Sequence, residues 1–429
     1  MKVLAYDEAF AASLHKLPVL SDPKELKLGV VIGIPGPKQA VLVHVALTPP
    51  LEKPTDKLDQ WVAQHAKQVS RMLPGGVDVL GVVALCSPDV FEKQKSLVKQ
   101  ALSSVHKTLA KTHQLQDYPQ RVLLHIDPNS FKLSSRLIDS SNFSGNGFPQ
   151  DAKQVKNCTN FTVLESFLPL HFLGHISDEV VGQSLQKQLA STLKFIEDAV
   201  SSGDVLIEGQ EITPEATLSS FSSENEGELR VQFAVRQIKP QPCGAIPLTT
   251  CGATVSIRGG FQVRAIVQSK ATSEEAINAI KQDAVRNLRS RCGMHCEDLL
   301  VIEDEQRDPS MTHELPKRIF LRRSHCPSTV PFCDFVFHGD DPNDSLQAFL
   351  EILGLEVKPE YIERNSEKAP RGDIQDARDA AQVEEMVEDI ICEGAKQLQK
   401  DPSNIIKLGL ACSVAVLAML VAYILLVRH

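Results

Sequence analysis

Apolar residues along the first part of this chain follow two rhythms. Leu28–Ile34 (LGVVIGI) and Gln39–Leu47 (QAVLVHVAL) are near-continuous β-branched runs joined by Pro35-Gly36-Pro37-Lys38, a pattern that predicts a β-hairpin. Thr48-Pro49-Pro50 ends the second run. From Asp56 to Leu73 the spacing becomes helical, with Leu58, Trp61, Val62, Val69, Met72 and Leu73 as the apolar positions, and Pro74-Gly75-Gly76 stops it. Val77–Cys86 (VDVLGVVALC) is a further buried strand. Ser87-Pro88 opens a helix to about His113, proline suiting the first helical position, and Arg121–Ile126 is again a strand. Strand, strand, helix, strand, helix, strand predicts an α+β layer arrangement around one core.

Residues 128–157 are mostly polar and read as a loop, most clearly at Asp139-Ser140-Ser141-Asn142 with Gly145 and Gly147. Phe161–Leu170 is strand-like, Val180–Val200 helical, and Asp204–Glu208 a strand. The acidic connector Ser219–Glu228 sets a boundary, giving an N-terminal α+β domain over 1–218 and a second α+β region over 229–354. In the second, Leu229–Ile238 and Thr254–Gln268 alternate as strands, the latter broken at Gly259-Gly260 by a bulge or turn. Thr272 and Glu275 form a capping box for a helix carrying Ile277, Ile280, Ala284 and Leu288 and closing at Cys292. Leu315–Arg322 and Cys333–Phe337 are strands, and Ser345 caps a short helix that Gly354 ends. A linker (355–375) and an amphipathic helix (376–400) follow.

The last stretch, Leu408–Val427, holds no Asp, Glu, Lys, Arg or His. As a helix it is about 30 Å long, the thickness of a bilayer's hydrocarbon core, so it reads as a transmembrane tail anchor. The start of the chain shows no signal-peptide h-region. Lys396, Lys400 and Lys407 precede the span and only Arg428 follows, which places the body in the cytosol. The sequons at Asn142, Asn157, Asn160 and Asn343 are then expected to stay unused.

Composition narrows the chemistry. A formal net charge of -9 argues against nucleic acid, and the single basic run, Arg318, Arg322 and Arg323, sits on or beside a strand. Ten scattered cysteines suit a reduced cytosolic body. Gly33-Ile-Pro-Gly36-Pro-Lys38 lacks the spacing of a phosphate loop and joins two strands instead of opening a helix. Cys292, His295 and Cys296, with Cys326 and Cys333, match no standard zinc spacing, and His171 and His175 flank Phe172 where a zinc-protease helix needs glutamate. No cofactor and no metal are expected. Cys86 is the remaining candidate nucleophile: it ends a strand before a helix start, where the dipole favours a thiolate, and His44 or His125 could supply a base. The plainer reading is a small apolar side chain filling a strand end.

Taken together, Gly29-Val-Val-Ile-Gly33, Thr48-Pro49-Pro50, Arg291-Cys292 followed by Glu297-Asp298-Leu299, Leu315-Pro316-Lys317-Arg318-Ile319-Phe320 and Cys333-Asp334-Phe335 carry a resemblance. The chain resembles the odr-four (odorant response abnormal protein four) family of membrane-anchored receptor-localisation factors. The resemblance implies a non-enzymatic adaptor at the endoplasmic reticulum membrane that assists folding and export of polytopic receptors, G-protein-coupled and odorant receptors among them. It also implies partnership with the ubiquitin-fold-modifier-specific protease. The N-terminal element order further resembles the MPN fold of metallo-isopeptidases. Over Gly81–Pro88 the two metal-binding histidines of that fold's active members would be replaced by Ala84 and Cys86, making a non-catalytic copy. Two other functions stay open: a membrane-tethered cysteine hydrolase using Cys86, and a structural tether without a receptor client.

Overall fold

The continuous apolar runs are strands buried on both faces. In a computed structural model, which describes residues 3–363 and 367 except 19, 21, 23, 37, 52–56, 113–118, 157, 211–215, 222–226, 235–250 and 302–312, they form the middle of an eight-stranded sheet. β1 (Val3–Tyr6) leads through α1 (Glu8–Leu14) to the antiparallel pair β2 (Lys27–Ile34) and β3 (Gln39–Leu47), the expected hairpin. α2 (Leu58–Arg71), β4 (Asp78–Leu85), α3 (Pro88–Thr112) and β5 (Gln120–Ile126) follow in the expected order. Successive strand residues point to opposite faces. Val30, Ile32, Val82 and Ala84 therefore join the core under α2 and α3, while Val31, Val83 and Leu85 face the other way, joined by Leu80 at the bulge where the β2–β4 register shifts.

That other face is concave. Residues 128–157, expected as loop, contain β6 (Leu133–Asp139), β7 (Phe148–Pro149) and β8 (Ala152–Gln154). The sheet order is β7-β6-β5-β4-β2-β3-β1-β8, so two strands only two residues apart sit at its opposite edges. The sheet must curl for its edges to meet there. Gln150 N donates to Ser135 O (2.9 Å) on one edge, and Val155 N donates to Tyr6 O (2.9 Å) on the other. α1 fills the concavity with Phe10 and Leu14.

β9 (Phe161–Ser177) starts a second sheet, of order β10-β11-β9-β12, with β10 (Asp204–Ile207), β11 (Glu228–Ala234) and β12 (Cys251–Gln268). The boundary expected between 218 and 229 runs through this sheet, because β9 pairs antiparallel with β12 from Phe161↔Gln268 to Ser177↔Cys251. The helix expected over Val180–Val200 is two, α4 (Asp178–Val181) and α5 (Leu185–Ser202), parted at Gly182. Gly259-Gly260 does not break β12, since its pairing continues through Leu170 and Pro169. A Cβ at Gly260 would lie 2.5 Å from the Phe167 ring, so this glycine makes room for an aromatic neighbour.

α6 (Ser273–Val301) opens with the expected capping box: Glu275 N donates to Thr272 Oγ1 (3.2 Å) and Thr272 N to Glu275 Oε2 (2.9 Å). It does not close at Cys292. Cys292 and Cys296 are both buried on it, and that inward face carries the helix on. β13 (Lys317–Leu321) pairs with β14 (Cys333–Val336) and with β15 (Ile362–Glu363). α7 (Ser345–Leu353) ends at Gly354 in the left-handed region, with Asp344, not Ser345, at its cap position. The first part of the expected linker is packed, as Leu355, Val357 and Ile362 join the α2–α3 core. The amphipathic helix 376–400 and the span Leu408–Val427 lie outside the described residues. Among the described residues no helix is long and apolar enough to cross a membrane.

The Pro74-Gly75-Gly76 stop joins the two larger sheets. Gly75 N donates to Arg264 O (3.0 Å) and Gly75 O accepts from Ile266 N (2.8 Å), extending β12 by one bridge. A Cβ at Gly75 would sit 2.2 Å from Ala279 O, and Gly76 has φ +74, so neither position tolerates a side chain.

Candidate functional site

Cys86 follows β4 directly and is wholly buried in the α2–α3 core, as is Ala84 two residues before it. Its carbonyl, not its thiol, meets an imidazole. His125 Nε2 lies 2.9 Å from Cys86 O, and His125 Nδ1 lies 3.1 Å from Ser134 Oγ. The Phe91 ring stacks on His125 at 4.4 Å. Burial, helped by Asp127, pushes the Cys86 thiol up to about 11, and burial lowers the His125 pKa below its ordinary value. At neutral pH the arrangement holds a thiol beside an imidazole whose two nitrogens are engaged, whereas nucleophilic catalysis needs a thiolate and an available base. His44, the other candidate base, lies on β3, and the sheet order puts β2 between it and β4.

His44 has a structural task that the sequence did not reveal. His44 Nε2 lies 2.7 Å from Leu353 O, and His65 Nε2 of α2 lies 2.8 Å from Ile352 O. Two buried imidazoles thus bind the last carbonyls of α7, groups that a helix end leaves without internal partners. Burial lowers the pKa of both, against the raising effect of those carbonyl bonds.

The direction of these shifts predicts an acid-sensitive fold. An imidazole kept neutral in the fold and titrating near 6.5 when unfolded contributes its full stability above about pH 6.5. As pH falls below that value the unfolded chain takes the proton first, and stability is lost. Between about pH 7.5 and 5.5 the unfolding free energy in urea is expected to fall, both histidines contributing in that direction. His65→Gln keeps a donor for Ile352 O and is expected to flatten that slope. Asp334, raised by burial, works in the opposite direction. A midpoint independent of pH across this range would mean that the imidazoles accept protons in place.

The remaining candidates are dispersed. Cys292, His295 and Cys296 lie on α6, while Cys333 on β14 accepts a hydrogen bond from Arg318 Nε (3.1 Å). Among the described residues no group of three or more His, Cys, Asp or Glu could hold a metal ion. His171 and His175 lie on the long strand β9, not on a helix. The basic run is not a free surface, since Arg318 is buried and Arg323 Nη2 donates to Phe161 O (2.9 Å).

What the sequence did not show is a buried ionic junction centred on α6. Asp283 accepts from Arg318 Nη1 (2.8 Å) and Nη2 (3.0 Å), and also from the Arg264 backbone N (2.9 Å). Arg286 Nη2 donates to Asp78 Oδ1 (2.6 Å), and Gln282 Nε2 to Asp78 Oδ2 (3.0 Å), tying α6 to the start of β4. Arg264 Nη1 donates to Glu363 Oε2 (3.0 Å), while its Nε makes a close ion contact with Glu165 (2.7 Å) that lacks hydrogen-bond alignment. Arg291 binds Glu367, the Pro316 carbonyl (2.8 Å) and Asn287 Oδ1 (2.6 Å). Burial lowers the Arg291 pKa, and Glu367 opposes that shift. All three sheets meet at this polar core. Two sequence features carried a trace of it: Asp283 beside the apolar positions Ile280 and Ala284, and Arg318 inside an apolar strand.

Known proteins place the chain. The family model described as "ODR4-like: Odorant response abnormal 4-like" matches residues 29–364, from β2 past β15. The chain is 26% identical to the mouse "Protein odr-4 homolog" over 78% of its length and 79% of that protein. It is 27% identical to the human "Protein odr-4 homolog" over 78% of its length and 80% of that protein. Against the Caenorhabditis elegans "Odorant response abnormal protein 4" it is 24% identical, over 72% of this chain and 66% of that one. Among solved structures, the crystal structure of UfSP from C. elegans overlaps with a TM-score of 0.44 at 10% identity, covering 83% of this chain and 57% of that one, too loosely to carry an argument. With the family pattern running from β2 past β15, through strands of all three sheets, the chain belongs to the ODR4-like family.

Proposed function

We propose that the protein is a non-enzymatic, tail-anchored adaptor at the endoplasmic reticulum membrane, its body in the cytosol. In this reading it assists folding and trafficking of polytopic receptors, including G-protein-coupled receptors, and draws the ubiquitin-fold-modifier-specific protease to the membrane. The observation that carries it is the family match over residues 29–364. Two features support it: the uncharged stretch Leu408–Val427, and a Cys86 thiol that burial holds in its protonated form. The first sheet with α2 and α3 is, in this reading, an MPN-type layer without its metal. What supports that is the position of Gly81–Pro88 across the end of β4 and the start of α3, with Ala84 and Cys86 facing a core.

Membrane fractionation of the protease in cells tests this function. Deleting residues 403–429 is expected to leave a soluble body that binds the protease without retaining it in the membrane fraction. An unrelated tail anchor of similar length is expected to restore recruitment, because confinement at the membrane raises effective concentration. Cys86→Ser is expected to change neither recruitment nor receptor export. Restored membrane residence without restored recruitment would show that the span makes specific contacts. Loss of export in a folded Cys86→Ser protein that still binds the protease would return the hydrolase reading.

A further inference from the structure

The turn joining β2 to β3, the end of β12 and the first two turns of α6 enclose a half-open cleft of about 680 Å³, within the usual range of a binding pocket. Its floor is apolar and buried: Ile34, Val267, Ala271 and Ala279. Asn278 and Gln268 stand on its sides, Gln268 Nε2 donating to Gln39 O (3.0 Å). Its charge is one-sided. Lys38 and Lys270 both line it, exposed, and among the described residues neither has an ion-pair partner. The lining carboxylate, Glu275, is turned onto the α6 capping box, where its Oε2 accepts from Thr272 N. That box also occupies the Glu275 N–H at the helix N-terminus.

We propose that this cleft is a docking site for an extended acidic peptide segment of a partner protein. Such a segment would seat an aliphatic side chain on the Ile34–Ala279 floor and set a flanking carboxylate against Lys38 and Lys270. The side-chain amides of Asn278 and Gln268 suit the alternating donors and acceptors of an extended backbone, whereas a lipid chain would meet polar walls instead of an apolar tunnel. Complementary charge would set orientation and on-rate, and the floor would set residence. The site is separate from the tail anchor and goes beyond the adaptor reading, which does not depend on it.

The test is to pan random decapeptides displayed on phage against the full chain in detergent, then measure the enriched peptides by fluorescence polarisation. Enriched sequences are expected to share one aliphatic residue flanked by Asp or Glu. Lys38→Glu with Lys270→Glu is expected to weaken their binding by about tenfold or more at low salt, with the loss shrinking as salt rises. Asn278→Trp changes an exposed helix position and should fill the cleft, abolishing binding while the melting temperature is kept. No enrichment, enrichment without acidic residues, or binding that survives Asn278→Trp in a folded protein would each overturn the proposal. Sensitivity to the lysine reversals alone would identify loose anion attraction and would also overturn it. Protease fractionation with the Asn278→Trp variant separates the two readings, because recruitment can fail or persist independently of peptide binding.

Discussion

Replacing Arg318 by methionine is expected to cost the body about 3–5 kcal/mol, the usual effect of removing one partner from a buried ion pair. Folded domains are stable by only about 5–15 kcal/mol in total, so the variant should be largely aggregated or proteolysed in cells. Arg318 is 2% exposed and its partner Asp283 is fully buried. The arginine donates twice to that carboxylate, once to Leu73 O (3.1 Å), and once to the Cys333 sulfur. Its guanidinium also lies 4.7 Å from the Phe320 ring centroid. Burial alone would lower its pKa, but Asp283 and the Cys333 sulfur together outweigh burial and raise it, so the guanidinium stays charged. Methionine fills much of the volume and supplies no donor. Asp283 then keeps only the Arg264 backbone N–H against the cost of a buried charge.

The companion variant carries Asp283→Leu as well. Removing both charges is expected to recover much of the loss, since a buried pair replaced by apolar groups of similar size is often near neutral. Guanidinium denaturation of wild type, both single variants and the double variant gives the coupling directly. A single-variant loss no larger than a surface substitution would mean that Arg318 and Asp283 do not close on each other.

The same junction marks where sequence reading stopped. β2, β3 and β4 were legible because both faces of the first sheet are covered, so their inner residues are apolar apart from His44 and no alternation is needed. β6 (LSSRLID) and the two-residue β7 lie at a sheet edge. β6 is mixed in polarity and β7 is only Phe-Pro, short and carrying proline as edges do to avoid pairing with other chains, and composition there resembles a loop. α1 escaped because EAFAASL offers only Phe10 and Leu14 to the concave core. α6 is the hardest case. Gln282, Asp283, Arg286, Asn287 and Arg291 are all buried on it, so residues a hydropathy pattern assigns to water face the interior. Cys86 was legible as the end of a strand before a helix. Its burial was not, because that depends on α2 and α3 closing over it from elsewhere in the chain.

A body cut after Gly354, where the sequence pattern ends the second region, is expected not to fold, whereas one cut after Lys368 should. The difference is the segment that follows α7. Ile362 pairs with Leu321 and Glu363 with Phe320, giving β13 its second neighbour. Leu355, Val357 and Ile362 pack on the α2–α3 core. Two carboxylates then enter the ionic junction from this segment: Glu363 on Arg264, and Glu367 on Arg291 with the Arg318 backbone N (3.2 Å). Without them, among the described residues, Arg264 retains Glu165 as its carboxylate and the Phe320 ring, and Arg291 retains neutral oxygens and aromatic rings. Both arginines are under 10% exposed, so each charge would remain buried with too little around it. One such loss costs about 3–5 kcal/mol, and a second would exceed what a typical domain can spare. Glu363→Gln with Glu367→Gln in the longer body isolates the charges from the packing and is expected to fall between the two truncations. Circular dichroism and guanidinium midpoints of the proteins ending at 354 and at 368, beside that double variant, check the order. Equal midpoints for the two truncated bodies would show that the segment rides on a fold complete without it.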